Sequence, residues 1–105
     1  MPQFTVYENI NEQSKDSFPY LLDVQNSLLE GLNTRVVIPL CPSAALGKKA
    51  ISNLSPQFEI QGISYTLLTS QLAGIAISEI GPSVCELSNN RFEIIKALDF
   101  LFTGF

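Results

Sequence analysis

Apolar residues along the first two thirds of this chain recur every second position. In QFTVYEN, 3–9, Phe4 and Val6 alternate with Thr5 and Tyr7, the period of a strand with one buried face. NEQSKDS, 11–17, is polar and mixed in charge, and reads as an exposed loop. YLLDVQ, 20–25, predicts a second strand. NSLLEGLN, 26–33, then sets the turn residues Asn26, Gly31 and Asn33 around an apolar pair, Leu28–Leu29. TRVVIPL, 34–40, is a nearly continuous apolar run with β-branched Val36, Val37 and Ile38, which predicts a buried strand. Pro39 lacks an N–H and is expected at the end of that strand, at an edge or at a bulge.

Residues 41–56 hold prolines at both ends, and either a short helix or an irregular loop fits between them. FEIQGISYTLL, 58–68, reads as a hairpin. Phe58 and Ile60 alternate with Glu59, and Ile63, Tyr65 and Leu67 alternate with Ser64 and Thr66. Gln61–Gly62 makes the two-residue turn, because glycine tolerates positive φ. IAISEI, 75–80, predicts a further strand, closed by Gly81–Pro82.

The period then changes. Ile94, Ile95, Leu98, Leu101 and Phe102 recur at three- and four-residue spacing, which predicts one apolar face of a C-terminal helix. Ser88 or Asn89 is placed to cap its start, Glu93 falls in the first turn, and Gly104 suits the left-handed position after the last turn. Mostly strands followed by one long helix is an α+β antiparallel design, a single domain over 1–105.

Composition narrows what such a domain does. Hydrophobic residues make up 46% and charged residues 15%, so the chain is globular rather than disordered. The net charge is −4, and the six basic residues, Lys15, Arg35, Lys48, Lys49, Arg91 and Lys96, form no stripe that would neutralise a phosphate backbone. Direct nucleic-acid binding is therefore not expected, although a basic protein patch is a suitable partner. The stretch 60–78 carries no charge, yet Gln61, Gly62, Ser64, Thr66, Thr69, Ser70, Gln71 and Gly74 interrupt it too often for a membrane-spanning helix. It reads as two strands and a turn.

The chemical inventory is thin. With no histidine there is no imidazole base, no imidazole metal ligand and no Ser–His triad. Neither a GxGxxG nor a P-loop is present, and LGKKA lacks the spacing of either. Cys41 and Cys85 are far apart and form no CxxC. The chain opens on strand-like alternation rather than a signal-peptide pattern, so a cytoplasmic location with two free thiols is expected. Asp23, Glu30, Glu59, Glu79 and Glu86 are scattered and read as solvated acids. Arg35 and Arg91 are the candidate electrophiles for a metal-independent ribonuclease, but no matched base accompanies them. No cofactor, no metal and no enzymatic activity are expected.

The last six residues, FLFTGF, contain three phenylalanines and no polar tail. Termini usually fray, so an apolar one points to burial or to a partner. Two branches stay open. In one, the helix packs its faces on the sheet and on a second subunit. In the other, Phe102, Thr103, Gly104 and Phe105 form a protruding apolar tip, where aromatic anchors suit a binding hot spot.

The chain resembles the CcdB family of toxin–antitoxin toxins. The resemblance is carried by QFTVY at 3–7, DVQNSLL at 23–29, RVVIPL at 35–40, LLTSQLA at 67–73 and ELSNNRFEIIKALDFLFTGF at 86–105, in order and across nearly the whole chain. It implies a small SH3-like, CcdB-type antiparallel β-barrel or sheet with one long C-terminal helix, assembled as a homodimer. It further implies a non-catalytic poison that binds the A subunit of DNA gyrase, traps the cleaved-DNA complex and is removed by the disordered C-terminal segment of a cognate antitoxin, a system typical of plasmid maintenance. Carried over by motif, the gyrase-contact positions are Leu28, Leu29, Asp99, Phe102, Thr103, Gly104 and Phe105, with the loop pair and the tail expected to form one surface.

This sequence departs from the family where Thr103–Gly104–Phe105 replaces a frequent Trp–Gly–Ile, Asp99 replaces a common asparagine, and Ala76 replaces a frequent proline. Two alternatives accompany the reading. One is an endoribonuclease toxin of the same fold, since related toxins share it. The other is a homologue that binds antitoxin but no longer poisons gyrase. The polar loop 11–17 is a candidate antitoxin contact.

Overall fold

A computed structural model describes residues 2–46 and 54–104. Among the described residues, seven antiparallel strands form one curled sheet: β1 (Thr5–Asn9), β2 (Tyr20–Asp23), β3 (Thr34–Pro42), β4 (Gln57–Ile60), β5 (Ile63–Leu67), β6 (Ala73–Ala76) and β7 (Ile80–Glu86). The order across the sheet is β4-β5-β3-β2-β1-β7, with β6 also paired to β3. One helical turn, α1 (Ser43–Leu46), follows β3, and the long helix α2 (Arg91–Thr103) closes the chain. The α+β architecture with its C-terminal helix is the one the alternation and the period change predict, and the curled, half-barrel sheet is the one the resemblance implies.

Both faces of the central strands are covered. One face holds the apolar core of Phe4, Val6, Leu22, Ile38, Leu40, Phe58, Ile60, Leu67 and Leu87, onto which α2 packs Ile94, Ile95 and Leu98. Tyr20 and Tyr65 meet edge-on at its margin, with ring centroids 5.0 Å apart. The other face carries Tyr7, Leu21, Asp23, Arg35 and Val37, all buried. Phe18 from the 10–19 connection and Ile75 from β6 line a cleft against Leu21 and Val37 on this face. β1 is thus not the half-exposed strand its alternation predicts: Thr5 and Tyr7 are buried because the sheet curls.

β3 is the hub, and Pro39 sits in its interior rather than at an end. Val37 and the residues before it pair with β6, while Leu40 and those after it pair with β5. Pro39 falls in the gap between the two partners, where its carbonyl accepts from Leu68 N–H at 3.0 Å. In a strand the N–H and C=O of one residue point to the same side, so the missing N–H faces the gap and breaks no ladder bond.

Gly81–Pro82 does not stop a strand. The run 75–80 is instead divided among the end of β6, a 3-10 turn at Ile77–Glu79 and the start of β7. β7 then continues through both residues along the sheet edge, with register shifts against β1 on either side of Tyr7. Edge position and bulge together accommodate the proline. A Cβ at Gly81 would come within 2.7 Å of Ile10 Cγ2 and 2.9 Å of the Glu8 carbonyl oxygen, so close backbone approach requires glycine there.

The β4–β5 hairpin forms as predicted. Gln61 (φ 53°) and Gly62 (φ 82°) take the two left-handed positions of a type I′ turn. Ile63 departs from its alternation and is exposed, beyond the reach of the core. The predicted connector 41–56 begins later than expected, because Cys41 and Pro42 belong to β3; its 47–53 portion lies outside the described residues. Cys41 is buried and Cys85 half-buried, both as free thiols, and burial pushes both upward from the usual thiol range.

Candidate functional site

The β2–β3 connection presents Leu28 and Leu29. Asn26 turns the chain, its side chain accepting from Leu28 N–H at 2.8 Å and its carbonyl from Leu29 N–H at 3.0 Å. The resulting 3-10 turn leaves Leu28 90% exposed, Leu29 49% and Leu32 50%.

Beneath this loop lies a buried polar cluster. Arg35 Nε and Nη2 donate to Asp23 Oδ2 at 2.9 and 2.6 Å, while Asp23 Oδ1 accepts from Gln25 N–H at 3.0 Å. The Gln25 side chain then spans the base of the loop, donating to the Leu29 carbonyl at 3.1 Å and accepting from Val36 N–H at 3.0 Å. Asp23 and Arg35 are 0% and 1% exposed. Burial pushes the Asp23 carboxyl above its usual range, opposed by Arg35 and by the Gln25 N–H. Two sequence expectations change here. Asp23 is not a solvated acid, and Arg35 is not an available electrophile, since its guanidinium is committed to Asp23 inside the fold.

The second group of candidate residues sits at the end of α2. The helix is entered through a 3-10 turn, Ser88–Asn90, with no side-chain cap on its first amides. Ser88 instead donates to Glu86, so the predicted capping by Ser88 or Asn89 does not occur. Ile94 and Ala97 are buried and hold the helix to the sheet. Asp99, Phe102, Thr103 and Gly104 are exposed, Phe102 at 69%. Phe102 therefore leaves the core-facing stripe in which its spacing also placed it. The tip is locally ordered: Thr103 Oγ1 donates to the Asp99 carbonyl at 2.7 Å, and Gly104, at φ 80°, donates its N–H to the Phe100 carbonyl at 3.0 Å. Only glycine takes that left-handed position without cost. Phe105 lies outside the described residues.

The loop is tied to the start of α2. Gln3 N–H donates to Ser27 Oγ at 3.4 Å, Gln3 Nε2 to the Val24 carbonyl at 3.1 Å, and Arg91 Nη1 to Gln3 Oε1 at 3.3 Å. Arg91 also lies 5.4 Å from the ring centroid of Phe4, a buried residue held at φ 67°. Phe102 lies eleven residues further on, about 16 Å along the axis at 1.5 Å per residue.

Sequence reading missed the Asp23–Arg35–Gln25 cluster and the exposure of Leu32 and Phe92. A signal for the cluster was present, in opposite charges set inside two apolar strands that flank one loop. Among the described residues no group of His, Cys, Asp and Glu is arranged to hold a metal, and no helix is long and apolar enough to cross a membrane. Compared with known protein families, the chain matches the family model described as CcdB protein over residues 3–104.

Proposed function

The chain belongs to the CcdB family of toxin–antitoxin toxins, and from that premise we propose that it is a non-catalytic toxin that binds the A subunit of DNA gyrase as a cytoplasmic homodimer and traps the gyrase–DNA cleavage complex. Leu28, Leu29, Asp99, Phe102, Thr103, Gly104 and Phe105 make the contacts in this reading. The observation that supports it best is the exposure of the apolar side chains of Leu28, at 90%, Leu29, at 49%, and Phe102, at 69%. Side chains of this size gain about 1.5–3 kcal/mol each when a target fully buries them. A folded protein leaves such groups in water where a partner recovers the energy.

Thr103 modifies the contact. A tryptophan at this place would stack on a cation for about 0.5–2 kcal/mol, and threonine has no ring. Its hydroxyl is turned back onto the Asp99 carbonyl, which stabilises the helix end rather than reaching outward. Thr103 is also what favours a second reading, a homologue that engages only its antitoxin, for which the loop 11–17 beside the Phe18 cleft is the candidate contact. A ribonuclease reading has less support, because Arg35 is buried against Asp23 and Arg91 is engaged with Gln3 and Phe4.

The deciding experiment is a gyrase supercoiling and DNA-cleavage assay with purified protein and with a form truncated after Phe102. The full chain is expected to accumulate cleaved DNA, and the truncation to lose that effect while its circular dichroism and oligomeric state stay unchanged. Undiminished poisoning by the folded truncation would reject the assigned surface, and absence of poisoning by the full chain would favour the antitoxin-only reading.

A further inference from the structure

Where the connection 10–19 meets the second face of the sheet, a cleft of about 160 Å³ is left open. Its floor is apolar, made by Leu21 and Val37 of the central strands with Pro39, Phe18 and Ile75. An apolar cavity of about 150 Å³ holds a benzene ring, so this cleft takes one ring or one branched aliphatic group. The connection fixes one wall. Buried Asn9 donates from Nδ2 to Ser14 Oγ at 3.0 Å and to the Phe18 carbonyl at 2.8 Å, and its Oδ1 accepts from Asn11 N–H at 3.1 Å. These bonds hold Ser14 and Phe18 in place before anything enters, which lowers the ordering cost of binding.

The rim is polar. Gln71 and Glu79 line the cleft and are exposed, and Glu79 also lines the open groove beside it, with Asn11, Glu12 and Ser78. Glu79 makes no ion pair among the described residues, and Lys15, the cation of the connection, is paired with Glu12 at 3.1 Å. We propose that the cleft binds a small free amine, an arylalkylammonium ion whose ring covers the apolar floor and whose ammonium meets the Glu79 carboxylate. The site shares no residue with the gyrase-contact surface.

Size and charge select this occupant. The cleft accommodates a single group, far short of the roughly 800 Å² that a specific protein partner buries on each side. A carboxylate ligand would set like charge beside Glu79 and Glu12, and the net charge of −4 repels it further. A neutral ring gains the apolar burial alone. An ammonium ion on a short arm gains that burial and the attraction of Glu79 as well.

The test titrates the isotope-labelled full chain with phenethylamine and with 3-phenylpropionate, which share a ring and a two-methylene arm and differ in charge. Two-dimensional NMR is expected to show shifts grouped at 9–21, 37–39 and 71–79, around the lining residues. Phenethylamine is expected to bind about fivefold tighter, as an ion pair at an exposed rim allows. Glu79→Gln should remove that preference. Ala73→Phe, which sets a ring into the cleft from an exposed position on β6, should remove binding of both compounds. Both substituted positions are exposed, so the variants should fold, which the dispersion of the same spectra checks. Equal binding of the two compounds, no binding of either, shifts centred elsewhere, a preference that survives Glu79→Gln or an affinity unchanged by Ala73→Phe would overturn the proposal. Dissociation of a dimer by Ala73→Phe in sedimentation would overturn it too, because the cleft would then be a contact between two copies.

Discussion

Leu28 stands on a loop anchored by a buried ion pair, whereas Phe102 stands on a helix anchored by Ile94 and Ala97 in an apolar core. The two side chains offer a target the same chemistry, yet they are held in place differently. Hydrogen-bonded charges fix direction as well as distance, which suits a ten-residue connection whose own turn buries nothing. Apolar packing needs only a periodic stripe, which suits a thirteen-residue helix. The loop should therefore depend on a few irreplaceable groups, and the helix on total buried area.

The largest effect should come from breaking the loop's anchor. Arg35→Met leaves the Asp23 carboxylate buried without its cation, and removal of one partner of such a pair costs about 3–5 kcal/mol. Denaturant unfolding should report that loss, and hydrogen exchange should rise at 26–33 ahead of α2. If both segments loosened equally, the cluster would not be the specific support of the loop. A double change, Asp23→Leu with Arg35→Met, should recover part of the stability without restoring loop protection.

Ile94→Ala tests the other half of the comparison. It removes a fully buried side chain at the base of α2, and substitutions of this kind cost about 2–5 kcal/mol. Exchange should rise first along α2, with the loop protected until global unfolding. Early loss of protection at 26–33 would show that the Gln3–Arg91 bridge couples the two regions more strongly than the packing argument allows.

The smallest effect is the dependence on pH. Because burial raises the Asp23 pKa in the folded protein, its protonated form is favoured by folding. The associated stability is fully present below the ordinary carboxylate range and is lost as pH rises through the raised folded value. Comparing unfolding of the parent and Asp23→Asn across the acidic range should show the parent losing stability relative to the variant over that window. A difference of the opposite sign would mean that the Arg35 attraction outweighs burial.

How much of this was readable in advance depended on range. The β4–β5 hairpin was legible because Gln61–Gly62 and the alternation beside it act within ten residues. The helix was legible from its spacing, and its stop from Gly104. Its start was misread, because Ser88 found Glu86 rather than the helix amides. Gly81–Pro82 looked like a stop, since glycine and proline disfavour strands in isolation. Only the proximity of Ile10 and Glu8, some seventy residues earlier, explains why β7 passes through them. Leu28, Leu29 and the α2 tip were marked by family resemblance, and their exposure is now visible.

Local signals thus settled the hairpin, the first strands and the body of the helix, because backbone preferences and the period of apolar residues act over a few positions. What lay beyond the linear order was the covering of the sheet's second face and the pairing of Asp23 with Arg35. Each depends on which distant segments meet once the sheet curls. Burial and electrostatic pairing are properties of that meeting, and no short stretch of sequence contains them.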